Sequence, residues 1–206
     1  MFRFYSIRYN RVVTRLDQQL SFVLEIDKLK TVLRQTLLTD QSRRENSAEH
    51  SWHLAVMAML MTEYAVESVD LLRAVKMVLI HDIVEVDAGD TFAYDTIALA
   101  EKDIREQRAA ERLFGLLPPE QGREFRQLWE EFEARQTPES KYANALDRLQ
   151  PLLHNSVTEG GTWRIHSVTR DKVLKRMEPV KIRMPAVYPV VERIVEKACD
   201  VGWIKT

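Results

Sequence analysis

Three places in the chain carry metal-competent polar side chains where a core is expected. His81 and Asp82 close the apolar run Met77, Val78, Leu79, Ile80. In the same stretch, HDIVEVDAGD at 81–90, Glu85 follows one helical turn beyond His81 and Asp90 follows Gly89. Buried charge is expensive unless it is paired or metal-bound. His50 opens an earlier predicted helix, and Asp147 lies inside a later one. Two imidazoles and two carboxylates from three helices make a mixed nitrogen and oxygen site for one divalent ion, with Mn, Co, Fe or Zn all suited to it. A water on such an ion is acidified towards neutrality, and a carboxylate one turn past the ligands can take its proton. Glu85 is therefore the expected general base of a hydrolase.

The elements that must position these residues read as helices. Leu20, Val23, Leu24, Ile26, Leu29, Val32 and Leu33 recur at helical spacing and predict one amphipathic helix from Asp17 to about Leu38. Asn46 or Ser47 caps the next, with Glu49 three residues after Asn46 in a capping-box arrangement, which puts His50 in its first turn. Asp70 caps a third, in which Leu72, Val75, Leu79 and Asp82 are expected to face inward. A charged helix over 95–117 follows, with Ile97, Ile104, Leu113, Phe114 and Leu117 inward, stopped by Pro118 and Pro119. The next helix carries Phe125, Leu128, Trp129 and Phe132. Thr137 and Pro138 form a helix start, opening the element that holds Asp147 and whose far end Pro151 should kink. Residues 155–161 read as irregular, and two short helices, 167–177 and 186–200, are divided by Pro179 and Pro185. No strand is expected. The fold class is all-α: an N-terminal extension over 1–16, a core over 17–155, and a C-terminal helical pair over 156–206 packed on the same domain.

Bulk properties agree with an ordinary globular domain. The 206 residues are 45% hydrophobic and 30% charged with only 6 glycines, a turn-poor composition that favours helix. A net charge of -1 gives no global attraction to a nucleic acid polymer or an anionic membrane. No apolar run approaches the ~18 residues of a membrane span. A single cysteine, Cys199, excludes an internal disulfide and suits a reducing cytoplasm. The opening residues carry Arg3, Arg8, Arg11 and Arg15 without an acid, a bias that transit peptides share; a short ordered extension is the expectation.

The blocks EHSWH at 49–53, HDIVEVDAGD at 81–90 and ANALDRLQPLL at 143–153 resemble the ordered H...HD...D signature of the HD-domain metal-dependent phosphohydrolases. Within that superfamily the chain most resembles the bacterial 5'-deoxynucleotidase-like group. The likeness spans Ile26 to Asn155 and includes KLK at 28–30, RRENSAEHS at 43–51, GDTFAYDT at 89–96 and LWEEFEARQTPESK at 128–141. It implies an HD-domain helical bundle in which His50, His81, Asp82 and Asp147 coordinate one divalent metal ion. It further implies that Glu85 holds the attacking water and that Asp90 is a second acid beside the phosphate.

A phosphate monoester adds about two negative charges to a site already rich in carboxylates, so cationic side chains must approach. Arg34 stands roughly where the resembled group has a substrate-contacting arginine, and Arg43 fits the block preceding His50; guanidinium forks suit phosphate oxygens. Gln35 follows Arg34 where deoxynucleotidase members can carry tryptophan, which puts deoxyribose selectivity in question. His53, at i+3 from His50, is expected as its hydrogen-bond partner rather than as a ligand. Trp129, Phe132, Trp163 and Trp203 are expected to pack, while His154 and His166 show no evident partners. The predicted function is hydrolysis of (deoxy)nucleoside 5'-monophosphates through a metal-bound water, with a small nucleotide as partner and a homodimer as the expected assembly. Phosphodiester or pyrophosphate hydrolysis, and a non-catalytic metal- or nucleotide-binding module, are the alternatives.

Overall fold

The computed structural model describes residues 13–94 and 101–205. Thr14 caps α1 (Arg15–Ile26) through a reciprocal capping box with Asp17, and Phe22 is its buried anchor. A 3-10 turn (Asp27–Thr31) leads into a hairpin of β1 (Leu33–Leu37) and β2 (Arg44–Asn46), paired antiparallel with Leu33 opposite Asn46 and Leu37 opposite Arg44. The helix predicted to reach Leu38 therefore ends twelve residues early, and the expected absence of strands is corrected. In β1 the residues that point inward are Arg34 and Thr36 while Leu33 faces solvent, so the strand's alternation is inverted with respect to hydrophobicity. The face of α1 is also corrected: Leu20, Val23 and Leu24 are exposed.

Asn46 and Glu49 form the expected capping box at the head of α2 (Ser47–Met61). Such a cap contributes about 1 kcal/mol and fixes where the first turn begins, and here it sets the direction of His50. Asp70 caps α3 (Leu71–Ile80) as predicted, accepting from the backbone N–H of Arg73 at 3.1 Å. The buried stripe of α3 is Ala74, Met77 and Val78, with Leu72 and Leu79 exposed, so His81 rather than Asp82 continues it. The helix stops at Ile80, and residues 81–84 turn into the short α4 (Glu85–Ala88), which buries Asp82 by a route that a straight helix does not offer. Gly89 ends α4 at a φ of 73°, a region that suits glycine, and sends the chain back towards the site at Asp90.

Helices α5 (Lys102–Phe114) and α6 (Pro119–Ala134) follow, Pro119 occupying the first turn of α6. Leu113, Phe114 and Leu117 are buried as predicted, Ile104 is exposed, and Ile97 lies outside the described residues. Thr137 and Pro138 open α7 (Pro138–Val157), the longest described element, which passes through Pro151 and runs beyond the point where irregular chain was expected. A turn at Gly160 leads into α8 (Gly161–Ile165); a Cβ on Gly160 would lie 2.5 Å from that of Trp203. Pro179 lies inside α9 (Arg170–Arg183) rather than dividing two helices, and the break before α10 (Tyr188–Asp200) falls around Pro185. Val173, Met177 and Val180 of α9 are buried, α9 packs along α7, and Trp129, Phe132 and Trp163 are core residues. Among the described residues no helix is long and apolar enough to cross a membrane.

Candidate metal centre

His50, from the first turn of α2, is fully buried and directs Nε2 to 3.0 Å from Oδ1 of Asp147 on α7. His81, at the end of α3, holds its Nδ1 2.9 Å from the carbonyl oxygen of Val78 and packs against the Phe132 ring at 4.7 Å between centroids. Donation to that carbonyl puts a proton on Nδ1, so in the neutral imidazole the lone pair is on Nε2. This Nε2 is buried without a hydrogen-bond partner, 3.0 Å from Oδ1 of Asp82 and 3.9 Å from Oδ1 of Asp147. A lone pair facing carboxylate oxygens is favourable only when a proton or a cation stands between them. One donor atom each from His50, His81 and Asp147 lies within 4.8 Å of the others, so these residues are positioned to hold a metal ion, and Asp82 adjoins them. The set of two nitrogens and two oxygens fits a divalent transition ion.

The electrostatics of the cluster follow from its burial. At Asp147 burial opposes ionisation, but the hydrogen bond and charge of His50, with His81 and Arg176, hold its carboxyl well below the usual range. Asp82 is likewise opposed by burial and held low by His81, Arg34 and His50. At His50 burial and Arg34 disfavour the proton, while Asp147 and Glu45 outweigh them and raise its affinity. Glu45 faces His50 on the other side, its Oε2 3.5 Å from Nδ1. An imidazole whose second nitrogen faces a carboxylate is held in one orientation and is the more basic for it.

Glu85 is buried on α4 and accepts a hydrogen bond of 2.5 Å from the Ser47 hydroxyl at the head of α2. Burial, with the neighbouring Asp82, pushes its carboxyl well up despite Arg34. Asp90 is pushed up in the same way, by burial first and against the pull of Arg34. Arg34 projects from β1 into the middle of these acids: Nη1 donates to Oδ2 of Asp82 at 2.8 Å and lies 3.9 Å from Asp90, while Nη2 lies 3.9 Å from Asp147. Burial works against its charge, and the surrounding carboxylates more than restore it.

The structure does not bring Arg43 to this cluster. Its exposed guanidinium forks onto Glu49 at 2.9 and 2.6 Å, because the residue sits by the solvent-facing turn of the hairpin, whereas Arg34 points in from β1. Glu45, and not His53, faces His50; His53 stands beside Gln150 and His154. His154 and His166 do have neighbours: the first approaches the Leu37 carbonyl at 3.0 Å, and the second stacks 4.1 Å from the Phe92 ring.

A cleft of about 240 Å³ opens over Asp82, Glu85 and Asp147, and its rim carries four cations that were not anticipated: Lys102, Arg135, Arg148 and Arg176. Arg148 is lowered to about 10 by burial. Its position directly after Asp147 was a signal available in the sequence; Arg176, on α9, had none, because it comes from the segment where the resemblance ends. A smaller hollow of about 70 Å³ adjoins the cleft, sharing Arg34, Asp90, Arg148 and Arg176 and walled by Phe92, Tyr94 and Trp163.

The HD-domain family model matches residues 26–187. The chain belongs to the HD-domain family. This HD-domain protein is 54% identical to a predicted metal-dependent phosphohydrolase from Magnetospirillum magnetotacticum MS-1, known from its crystal structure; the match covers 95% of this chain and 100% of that one at a TM-score of 0.89. It is 32% identical over 141 residues to the human 5'-deoxynucleotidase HDDC2, covering 68% of each chain. The Xenopus laevis 5'-deoxynucleotidase HDDC2 is 36% identical over 135 residues, 65% of this chain and 66% of the relative. The family match extends past Asn155 through α9, so the helix that brings Arg176 to the cleft falls within the HD-domain region.

Proposed function

We propose that the protein is a metal-dependent phosphomonoesterase acting on (deoxy)nucleoside 5'-monophosphates; its HDDC2 relatives are named 5'-deoxynucleotidases. The observation that carries this reading is the buried, unpartnered Nε2 of His81 facing Asp82 and Asp147 in a cleft whose lining combines acids with Arg34, Arg148 and Arg176. His50, His81, Asp82 and Asp147 would hold one divalent ion, Mn, Co, Fe or Zn, which when bound supplies positive charge for the phosphoryl oxygens and acidifies a water for attack. Glu85, which lines the cleft and is held by the Ser47 hydroxyl, would accept the proton. Asp90 lines the same cleft and, with Arg34, borders the smaller hollow. Arg34 offsets the four carboxylates and, with Arg148 and Arg176, receives the phosphate. The aromatic walls of the smaller hollow take the nucleoside, since a ring system stacks on such faces.

Within this reading residues 17–155 form the HD-domain core and the C-terminal helices complete the cleft from the same domain, supported by the packing of α9 along α7. Phosphate release is the direct test. After chelation and reloading with Mn or Co, deoxy- and ribonucleoside 5'-monophosphates should release phosphate, and 3'-monophosphates and cyclic nucleotides should not. Absence of turnover on every 5'-monophosphate by the metal-loaded protein would overturn the assignment. A reducing cytoplasm as its location is supported by the lone cysteine, and a homodimer by the row of exposed Leu16, Leu20, Val23 and Leu24 along α1. Sedimentation is expected to give twice the chain mass, and a monomer at assay concentrations would remove the dimer; a signal in another cell fraction would remove the location.

A further inference from the structure

Behind His50, on the side away from the cleft, a second set of donors converges from β2, α2 and α7. One atom each from Glu45, His53 and His154 lies within 4.8 Å of the others, and the Nε2 of Gln150 stands among them, 2.6 Å from Glu45 Oε1, 3.3 Å from His53 Nδ1 and 3.2 Å from His154 Nε2. We propose that Glu45, His53, Gln150 and His154 form a second divalent cation site, separate from the one at Asp147.

The argument begins with Gln150, which is fully buried. Its amide nitrogen has two hydrogens for three acceptors, while its carbonyl oxygen is buried with no partner at all. Hydrogen bonds alone leave this cluster incomplete: one acceptor goes without a hydrogen, and the unpaired oxygen bears the cost of its desolvation. Half a turn about the last torsion exchanges two atoms of nearly equal size and turns the oxygen towards the cluster. A carbonyl oxygen among a carboxylate and two imidazole lone pairs is repelled unless a cation stands at the centre; with one there the four donor atoms are satisfied together, while the amide N–H groups take the place where the oxygen had no partner. The donors are then two nitrogens and two oxygens without thiolate, a set for Zn, Co or Ni rather than Mg or Ca.

The ring orientations suit that role. His154 holds Nδ1 3.0 Å from the Leu37 carbonyl, which places the ring proton there and leaves Nε2 bare. His53 turns Nδ1 towards the same point, 3.3 Å from the Gln150 amide nitrogen. Glu45 and His154 are buried whereas His53 is half-exposed, which gives a cation an approach from the His53 side. The second oxygen of Glu45 lies 3.5 Å from His50 Nδ1 and 3.6 Å from Arg34 Nε, so one carboxylate borders both centres.

The test is a Co titration of the chelator-stripped full chain, followed by bound-metal content and by visible absorption, which is intense for four-coordinate Co and weak for ion held loosely in six-coordinate form. Two equivalents are expected for the natural protein, one each for His53→Ala and Asp147→Asn, and none for the double variant. His53 is half-exposed, so its removal spares the fold, and the natural protein needs no variant for its own count. Saturation at one equivalent that Asp147→Asn abolishes would overturn the second site and leave the first intact. Two equivalents retained by His53→Ala would also overturn it. Loss of neither equivalent in Asp147→Asn would count against the ligand set of the first centre alone.

Discussion

Asp147→Asn is expected to lose the catalytic ion and to lower phosphate release by more than ~100-fold, beyond the roughly 10–100-fold that follows loss of a residue merely supporting a ligand. Asparagine keeps the shape of the side chain but removes the charge, and its carbonyl oxygen is a much poorer donor than a carboxylate. Asp147 approaches both imidazoles, 3.0 Å from His50 and 3.9 Å from His81, so no other acid replaces it between them. Its neighbours on α7, Leu146 and Leu149, are fully buried and carry the packing whether or not the charge is present. The helices should therefore persist, and far-UV circular dichroism should be unchanged while metal content at the first centre and turnover fall together. Full metal occupancy in the variant would take Asp147 out of the ligand set, and with it the three-helix convergence on which the hydrolase reading stands.

Why that convergence was legible in the sequence, while much of its surroundings was not, is a matter of which signals are local. The cap at Asn46 and the start at Thr137 and Pro138 are fixed by contacts three residues apart, so the helices bearing His50 and Asp147 could be placed without tertiary information. The inner face of α3 could not, because both candidate stripes are apolar: Leu72, Val75 and Leu79 match the pattern as well as Ala74, Met77 and Val78, and only packing against α2 and α7 decides between them. Strand β1 was hidden for the opposite reason. Its inward residues, Arg34 and Thr36, are polar because the interior they face is the charged site, so a pattern based on hydrophobicity reads it as the tail of a helix. Arg43 was singled out by its fit to the block preceding His50, which does not report that its partner is Glu49 of the next capping box. Glu45 and Gln150 meet across 105 positions, and no local rule reports such a pair.

Glu85→Gln is expected to separate chemistry from metal binding, lowering kcat by ~10²–10⁴ with metal content unchanged. The side chain stands outside the four donors yet opens onto the same cleft, one turn beyond His81 and bonded to Ser47 at 2.5 Å. Glutamine can still accept that hydrogen bond through its carbonyl oxygen, and it occupies nearly the same volume, so the position of α4 against the head of α2 is preserved. What it lacks is a group able to take a proton from water. In the proposed reading the cations around the cleft, and not this acid, bind the substrate, so the substitution is expected to leave KM little changed. The pair of variants is thus diagnostic: Asp147→Asn should lose ion and turnover together, whereas Glu85→Gln should lose turnover alone. Retention of kcat within about tenfold in Glu85→Gln would move the base elsewhere, and Asp90, an acid that lines both the cleft and the hollow beside it, would be the next residue to change.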